Sequence, residues 1–197
     1  MTRSRCSVFA AVLVLLASAS VAWAASPTET VQTAIQRVFD ESGTGKARAA
    51  SLDERRVQIR LAAESLFDFR DMARRSLGAH FDELSPGDQS EFVRLFTNLI
   101  ALSYMGKIEV YAGEPIHYLG ERVEGTDASV QSRLVTARGS QVDVAYRLHQ
   151  TGDRWSVYDV SVDGVSIVEN YKMQFSRMIQ RTSLAELLKT LRTKVGS

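Results

Sequence analysis

The stretch Gln141-Val142-Asp143-Val144-Ala145-Tyr146-Arg147-Leu148-His149-Gln150 decides the fold. Its apolar residues fall at every second position. Val142, Val144, Tyr146 and Leu148 share one face, and Asp143, Arg147 and His149 share the other. Side chains alternate across an extended chain, so this pattern is a half-buried β-strand. The same period governs the surrounding sequence. Residues 115–123, 128–137, 140–150 and 153–163 read as four strands. Gly125-Thr126-Asp127, Arg138-Gly139 and Thr151-Gly152-Asp153 separate them, and connections this short join antiparallel neighbours. In the fourth strand Trp155 and Val157 lie on one parity and Val160 and Val162 on the other. That predicts either a bulge near Tyr158-Asp159 or burial of both faces.

On both sides of the strands the period changes to three and four. Ser26-Pro27-Thr28-Glu29 has a capping Ser, Pro at the first helical position and Glu three residues after the cap, ahead of Val31, Ile35, Val38 and Phe39. Ser42-Gly43-Thr44-Gly45 ends that helix. Ser51-Leu52-Asp53-Glu54 opens a second one, with Val57, Leu61 and Leu66 as its apolar stripe. Phe67-Asp68-Phe69 breaks it, and a short helix from Met72 to Leu77 closes at Gly78. A longer helix starts at Ser85-Pro86 and carries Phe92, Leu95, Phe96, Leu99, Leu102, Ser103 and Gly106 on one stripe. After the strands, residues 165–181 are helical through Val168, Tyr171, Phe175 and Met178. Ser183-Leu184-Ala185-Glu186 then caps a last helix carrying Leu187, Leu188 and Leu191. The expected fold is α+β: N-terminal helices, a four-stranded antiparallel sheet, then C-terminal helices, in one domain.

Composition narrows the functional classes. Twenty-four Lys and Arg against twenty-three Asp and Glu leave a formal charge of +1, without the basic excess of a nucleic-acid binder. Arg3 and Arg5, an apolar run from Val8 to Val21, and Ala22-Trp23-Ala24 form a secretory signal peptide over residues 1–24. The apolar run is shorter than the ~20 residues a membrane span needs. The single cysteine, Cys6, precedes that run and leaves with the peptide, so residues 25–197 form a cysteine-free exported domain, as suits a periplasm.

Catalytic patterns are sparse. Gly164-Val165-Ser166-Ile167-Val168 begins like a nucleophile elbow but lacks its closing Gly, and it follows a hairpin strand rather than a parallel one. Ser166 is therefore expected to cap a helix. Asp159 and Asp163 could form an acid/base pair, yet residues four apart on one strand stand about 13 Å apart. His80, His117 and His149 show no metal-ligand spacing, and no phosphate-binding glycine loop is present. Basic residues such as Arg60, Arg70 and Arg74 alternate with acids and read as solvated helix faces.

The segment from Trp155 to Phe175 carries a resemblance. Trp155, Val157-Tyr158-Asp159-Val160, Gly164-Val165-Ser166, Asn170-Tyr171-Lys172 and Gln174-Phe175 are similar to the strand-to-helix signature of the MlaC family, also called toluene-tolerance auxiliary proteins. Phe67-Asp68-Phe69 with Met72, Leu77 and Gly78 resembles the family's next element. Phe92, Phe96, Leu99 and Tyr104 resemble its long helix, and Tyr146-Arg147-Leu148 its strand. Lys172 stands where Arg is common, and Arg181-Thr182-Ser183 replaces a turn containing Gly. A hopanoid-associated branch of the family is also similar, which leaves the cargo open between phospholipid and hopanoid.

The resemblance implies a soluble periplasmic lipid carrier without cofactor, metal or catalytic group. Such a protein takes phospholipid between an outer-membrane lipoprotein–porin complex and an inner-membrane ABC transporter with an MCE-domain subunit. Acyl chains would sit in an apolar cavity between sheet and helices, with the head group near solvent. The implied lipid-binding residues are Phe67, Phe69, Phe96, Leu99, Tyr104, Val144, Tyr146, Val160, Val162, Ile167, Tyr171 and Phe175. Two other readings make different demands. A cell-envelope adaptor without cargo would have a packed interior and an exposed apolar patch. An enzyme would turn Asp159 or Asp163 into the cavity with a raised pKa.

Overall fold

The computed structural model describes residues 25–39, 52–111 and 114–195. The expected signal peptide, helix stop at 42–45 and Ser51 cap lie outside them. The elements run α1 (Pro27–Phe39), α2 (Leu52–Leu66), α3 (Phe69–Leu77), a 3-10 turn (Gly78–Phe81), α4 (Pro86–Tyr111), β1 (Ile116–Glu124), β2 (Asp127–Val135), β3 (Gln141–Thr151), β4 (Arg154–Val162), β5 (Val165–Ser166), α5 (Ile167–Arg181) and α6 (Leu184–Val195). The α+β expectation holds, with five strands in place of four. They form one antiparallel meander in the order β1-β2-β3-β4-β5.

The fifth strand was hidden in residues expected to be helical. Val162 pairs with Val165 across a two-residue turn, Asp163-Gly164. Both turn residues have positive φ, 48° and 80°. This is the backbone that tight hairpins need and that Asp-Gly supplies. The chain therefore folds back for two residues before Ile167 opens α5.

A bulge resolves the parity conflict in β4. Leu148 faces Val157 and Arg147 faces Asp159, so Tyr158 is the extra residue. Beyond it the parity is reset. Val160 lies opposite Tyr146 and Val162 opposite Val144. Trp155, Val157, Val160 and Val162 thus share the face of Val144, Tyr146 and Leu148. Ala128, Val130, Ser132 and Leu134 join that face from β2 through the register with β3.

Helix starts follow their capping residues. Ser26 and Glu29 cap reciprocally: Ser26 Oγ accepts from Glu29 N–H at 3.1 Å, and Glu29 Oε2 accepts from Ser26 N–H at 2.9 Å. Ser85 Oγ accepts from Asp88 N–H, and Ser183 Oγ from Glu186 N–H. At the break after α2, Asp68 caps α3 by accepting from Asp71 N–H at 2.8 Å, and its own N–H donates to the Val157 carbonyl of β4. Phe67 bridges Val157 in parallel. The α2–α3 junction is thereby stitched to the sheet.

Two apolar clusters result. One joins α3, α4, α5 and α6 around Phe92, Phe96, Tyr171 and Phe175, whose rings meet at centroid distances of 5.6 to 6.3 Å. The other joins α1 and Leu66 to the inner sheet face through Val31, Val130, Tyr146, Leu148, Trp155 and Val157. Phe67 and Ile167 touch both clusters. A domain this size ordinarily has one contiguous core. Here two cores are linked at their edges, and the space between them is the candidate site.

Two expected stripes need correction. On α2, Val57 and Leu61 are more than half exposed, while Ile59 and Leu66 are buried. The inward stripe is Ile59, Ala63 and Leu66, spaced four and three. Period alone admits both faces, and packing against α1 and β4 selects this one. On α4, Leu102 is 64% exposed because the buried stripe ends at Leu99.

Candidate functional site

A cavity of about 480 Å³ separates the two cores. α1 contributes Ala34 and Ile35. α2 contributes Ile59, Ala62, Ala63 and Leu66. The α2–α3 junction gives Phe67, Phe69 and Met72, and α4 gives Ile100, Ala101 and Tyr104. The sheet supplies Ile116, Leu134, Val142, Val144, Tyr146, Val160 and Val162, and the start of α5 closes it with Ile167. Four alanines are interspersed among the larger helical residues, and each reaches only to its Cβ, which leaves room in the wall.

Each wall follows from a local rule. Phe67 and Phe69 flank Asp68 (φ −86°, ψ 80°), where the chain turns from its bridge to β4 into α3; both rings face the cavity. The rings stand 5.5 Å apart on the cavity side. On the far side, Asp68 Oδ2 lies 3.2 Å from His149 Nε2, and Asp71 Oδ2 lies 3.5 Å from His149 Nδ1. His149 stacks on Tyr158, and the Arg75 guanidinium lies 4.1 Å over that phenol ring. Burial alone would raise the Asp71 pKa, but hydrogen bonds and charge from Arg75 and Arg74 outweigh it and hold the carboxyl below its ordinary 3.8. This polar cluster fastens α3 to the outer face of the sheet and so holds the two Phe rings in place. Along the chain His149 has no acidic partner at ligand spacing. Its partners lie some eighty residues away and meet it only through the fold.

The polar wall groups are nearly all occupied. Tyr146 is buried at 8% exposure, bonds Ser132, and has its phenol pKa pushed well up by burial. Thr97 Oγ1 donates to Val93 O at 2.8 Å. Ser166 Oγ donates to Asp159 Oδ2 at 2.7 Å and accepts from Glu169 N–H at 3.1 Å, capping α5 as its position predicted. Asp159, 3% exposed, also accepts from Val168 N–H at 3.1 Å. Both its oxygens therefore serve the α5 N-terminus, where a carboxylate is favourable against the helix dipole. Asp163 sits in the β4–β5 turn and accepts from Asp143 N–H at 3.0 Å. Neither aspartate is arranged as an acid or base toward the cavity. Among the described residues no group of three His, Cys, Asp or Glu side chains is arranged to hold a metal ion.

Of the twelve residues singled out from sequence, Phe67, Phe69, Tyr104, Val144, Tyr146, Val160, Val162 and Ile167 line the cavity. Phe96, Leu99, Tyr171 and Phe175 do not. They pack in the helical core, at 0%, 3%, 8% and 5% exposure. The reason is helical geometry: on α4 the large residues turn toward α3, α5 and α6, while Ile100, Ala101 and Tyr104, one step around, face the sheet. Ser103 Oγ and Tyr171 Oη share a hydrogen bond of 3.0 Å, which fixes Tyr171 on that other side. Sequence reasoning missed the alanines and Ile59. An alanine among larger residues carries no signal that it borders empty space.

The family model for the MlaC protein matches residues 32–193. Comparison with curated protein sequences gave no match. Among solved structures, the fold is shared with a phospholipid-binding protein from Ralstonia solanacearum, determined in complex with a phospholipid. The TM-score is 0.77 at 24% identity, covering 87% of this chain and 98% of that one.

Proposed function

We propose, because this chain belongs to the MlaC family, that it is a lipid carrier whose cavity holds the acyl chains of a phospholipid. The observation that carries the reading is the apolar cavity between two otherwise well-packed cores. Cavities of 300–1,000 Å³ are of ligand size. The space opens to water at its rim, so its apolar walls stay hydrated until an apolar ligand covers them, a gain of ~25 cal/mol per Å² of apolar surface buried. The ligand is apolar, since the walls are. The shared fold of the phospholipid-binding protein from Ralstonia solanacearum supports the choice of phospholipid. An adaptor without cargo has no use for the space.

The task this solves is energetic. Two acyl chains carry on the order of 30 methylenes, and exposing each to water costs roughly 0.8 kcal/mol. An aqueous gap is thus a barrier of about 24 kcal/mol, which an apolar enclosure removes without a catalytic group. Residues 1–24 would direct export and then be cleaved, leaving residues 25–197 as one periplasmic domain. Among the described residues no helix is long and apolar enough to cross a membrane. The carrier would exchange lipid with an outer-membrane lipoprotein–porin complex and an inner-membrane ABC transporter bearing an MCE-domain subunit.

A transfer assay tests the reading. Lipid-free protein is incubated with vesicles of labelled phospholipid, and the vesicles are then sedimented. Stoichiometric label in the supernatant is expected. Label that sediments completely with the vesicles refutes the carrier.

A further inference from the structure

We infer that Arg60 contacts the lipid head group and selects lipids bearing an anionic phosphate ester over uncharged ones. This rests on the carrier reading above and names the class of cargo.

Arg60 is the one charged side chain among the described residues that line the cavity. It is also exposed, so it stands at the rim, with its stem along the wall and its head in water. Its Nη1 donates to Asn98 Oδ1 at 3.1 Å. Asn98 Nδ2 in turn donates to the Val195 carbonyl at 3.2 Å. The guanidinium is therefore oriented from α2 across α4 to the end of α6 by a neutral amide, with no carboxylate on it among the described residues. Other arginines of the fold differ. Arg74 and Arg75 pair with Asp71, Arg133 with Asp143, and Arg192 with Glu91. Arg60 has no carboxylate partner among the described residues.

Chemistry fixes what such a group takes. A guanidinium presents five donors in a planar fork that matches phosphate oxygens two at a time. A lipid with its chains in the cavity must leave its charge at the rim, because burying an unpaired charge is prohibitive. The rim of the cavity is where Arg60 waits. Beside a low-dielectric wall the attraction is screened less than in bulk water. A hopanoid or a diacylglycerol offers no anion and leaves the fork unanswered.

The test uses lipid-free full-length mature protein and vesicles holding equal phosphatidylglycerol and diacylglycerol with identical chains. Bound lipids are counted by mass spectrometry for wild type, R60Q, R60K and R133Q. We expect wild type and R133Q to favour phosphatidylglycerol, R60Q to lose about tenfold of that ratio, and R60K to retain part of it. Excess inorganic phosphate should leave the wild-type ratio unchanged. An unchanged ratio in R60Q overturns the assignment while the carrier reading stands. So does equal loss of both lipids with a lowered melting temperature, which makes Arg60 a strut between α2 and α4. Displacement of phosphatidylglycerol by inorganic phosphate makes the rim a free-anion site and also overturns it. Wild type that loads neither lipid overturns the carrier reading and this inference with it.

Discussion

Tryptophan placed at Val144 and at Leu99 separates cavity wall from packed core. Val144 is half-buried on β3 and lines the cavity. Leu99 is 3% exposed inside the helical core. An indole buries on the order of 200 Å², or about 5 kcal/mol at ~25 cal/mol per Å². The valine it replaces already contributes roughly 2 kcal/mol, and adjustment of the walls costs about 2 kcal/mol. V144W is therefore expected to stabilise the lipid-free protein by about 1 kcal/mol, raising Tm by roughly 2–4 °C. At Leu99 no space awaits the ring, and overpacking costs about 3 kcal/mol. L99W should lower Tm by roughly 6–12 °C. Thermal unfolding of lipid-free protein measures both, and uptake from labelled vesicles measures loading. V144W should load poorly while folded. L99W should load in proportion to its folded fraction. Equal destabilisation by the two substitutions would refute the division into wall and core.

Two further predictions concern how the walls are held. D159A strips the acceptor from the Ser166 hydroxyl and the Val168 N–H, and should cost about 3 kcal/mol in denaturant unfolding. D159N keeps one acceptor oxygen and should recover about half of that loss. An equal effect of the two variants would contradict the capping role. The Asp71 carboxyl, held low by Arg75 and Arg74 against its own burial, contributes stability that is complete above its ordinary 3.8. That contribution is lost as pH falls through the lower folded value. In melting curves taken from neutral pH down to about pH 2, D71N should start lower than wild type and decline less steeply below about pH 4. Parallel acid limbs would contradict this.

What the sequence revealed followed from periodicity and caps, both of which are local. Alternation in 141–150 set the sheet, and the Ser caps before α1, α4 and α6 set helix starts within a residue. The bulge at Tyr158 was visible as a clash of parity between Val157 and Val160. Other features were non-local. β5 is two residues long, too short to show a period, and depends on Asp163 and Gly164 adopting positive φ together. On α2, helical spacing reaches Leu66 through Val57 and Leu61 as readily as through Ile59 and Ala63, and only packing against α1 and β4 selects the second. Phe96, Leu99, Tyr171 and Phe175 match the family's motif positions, which mark buried residues without separating packed core from cavity wall. Aromatic residues serve both roles here: Phe67, Phe69, Tyr104 and Tyr146 line the cavity, whereas Phe96, Tyr171 and Phe175 fill the helical core. The sheet half of the site was better placed, since Val144, Tyr146, Val160 and Val162 share a face by register alone.

If lipid fills the space between the two cores, it should leave the cell with the protein. Purification of the mature protein from periplasm without detergent, followed by native mass spectrometry and extraction of bound material, reads this out. A complex heavier than the polypeptide by one phospholipid mass is expected. A hopanoid mass would keep the carrier and contradict phospholipid as its cargo. A folded protein at the bare polypeptide mass, which also takes up nothing from vesicles, would contradict the account.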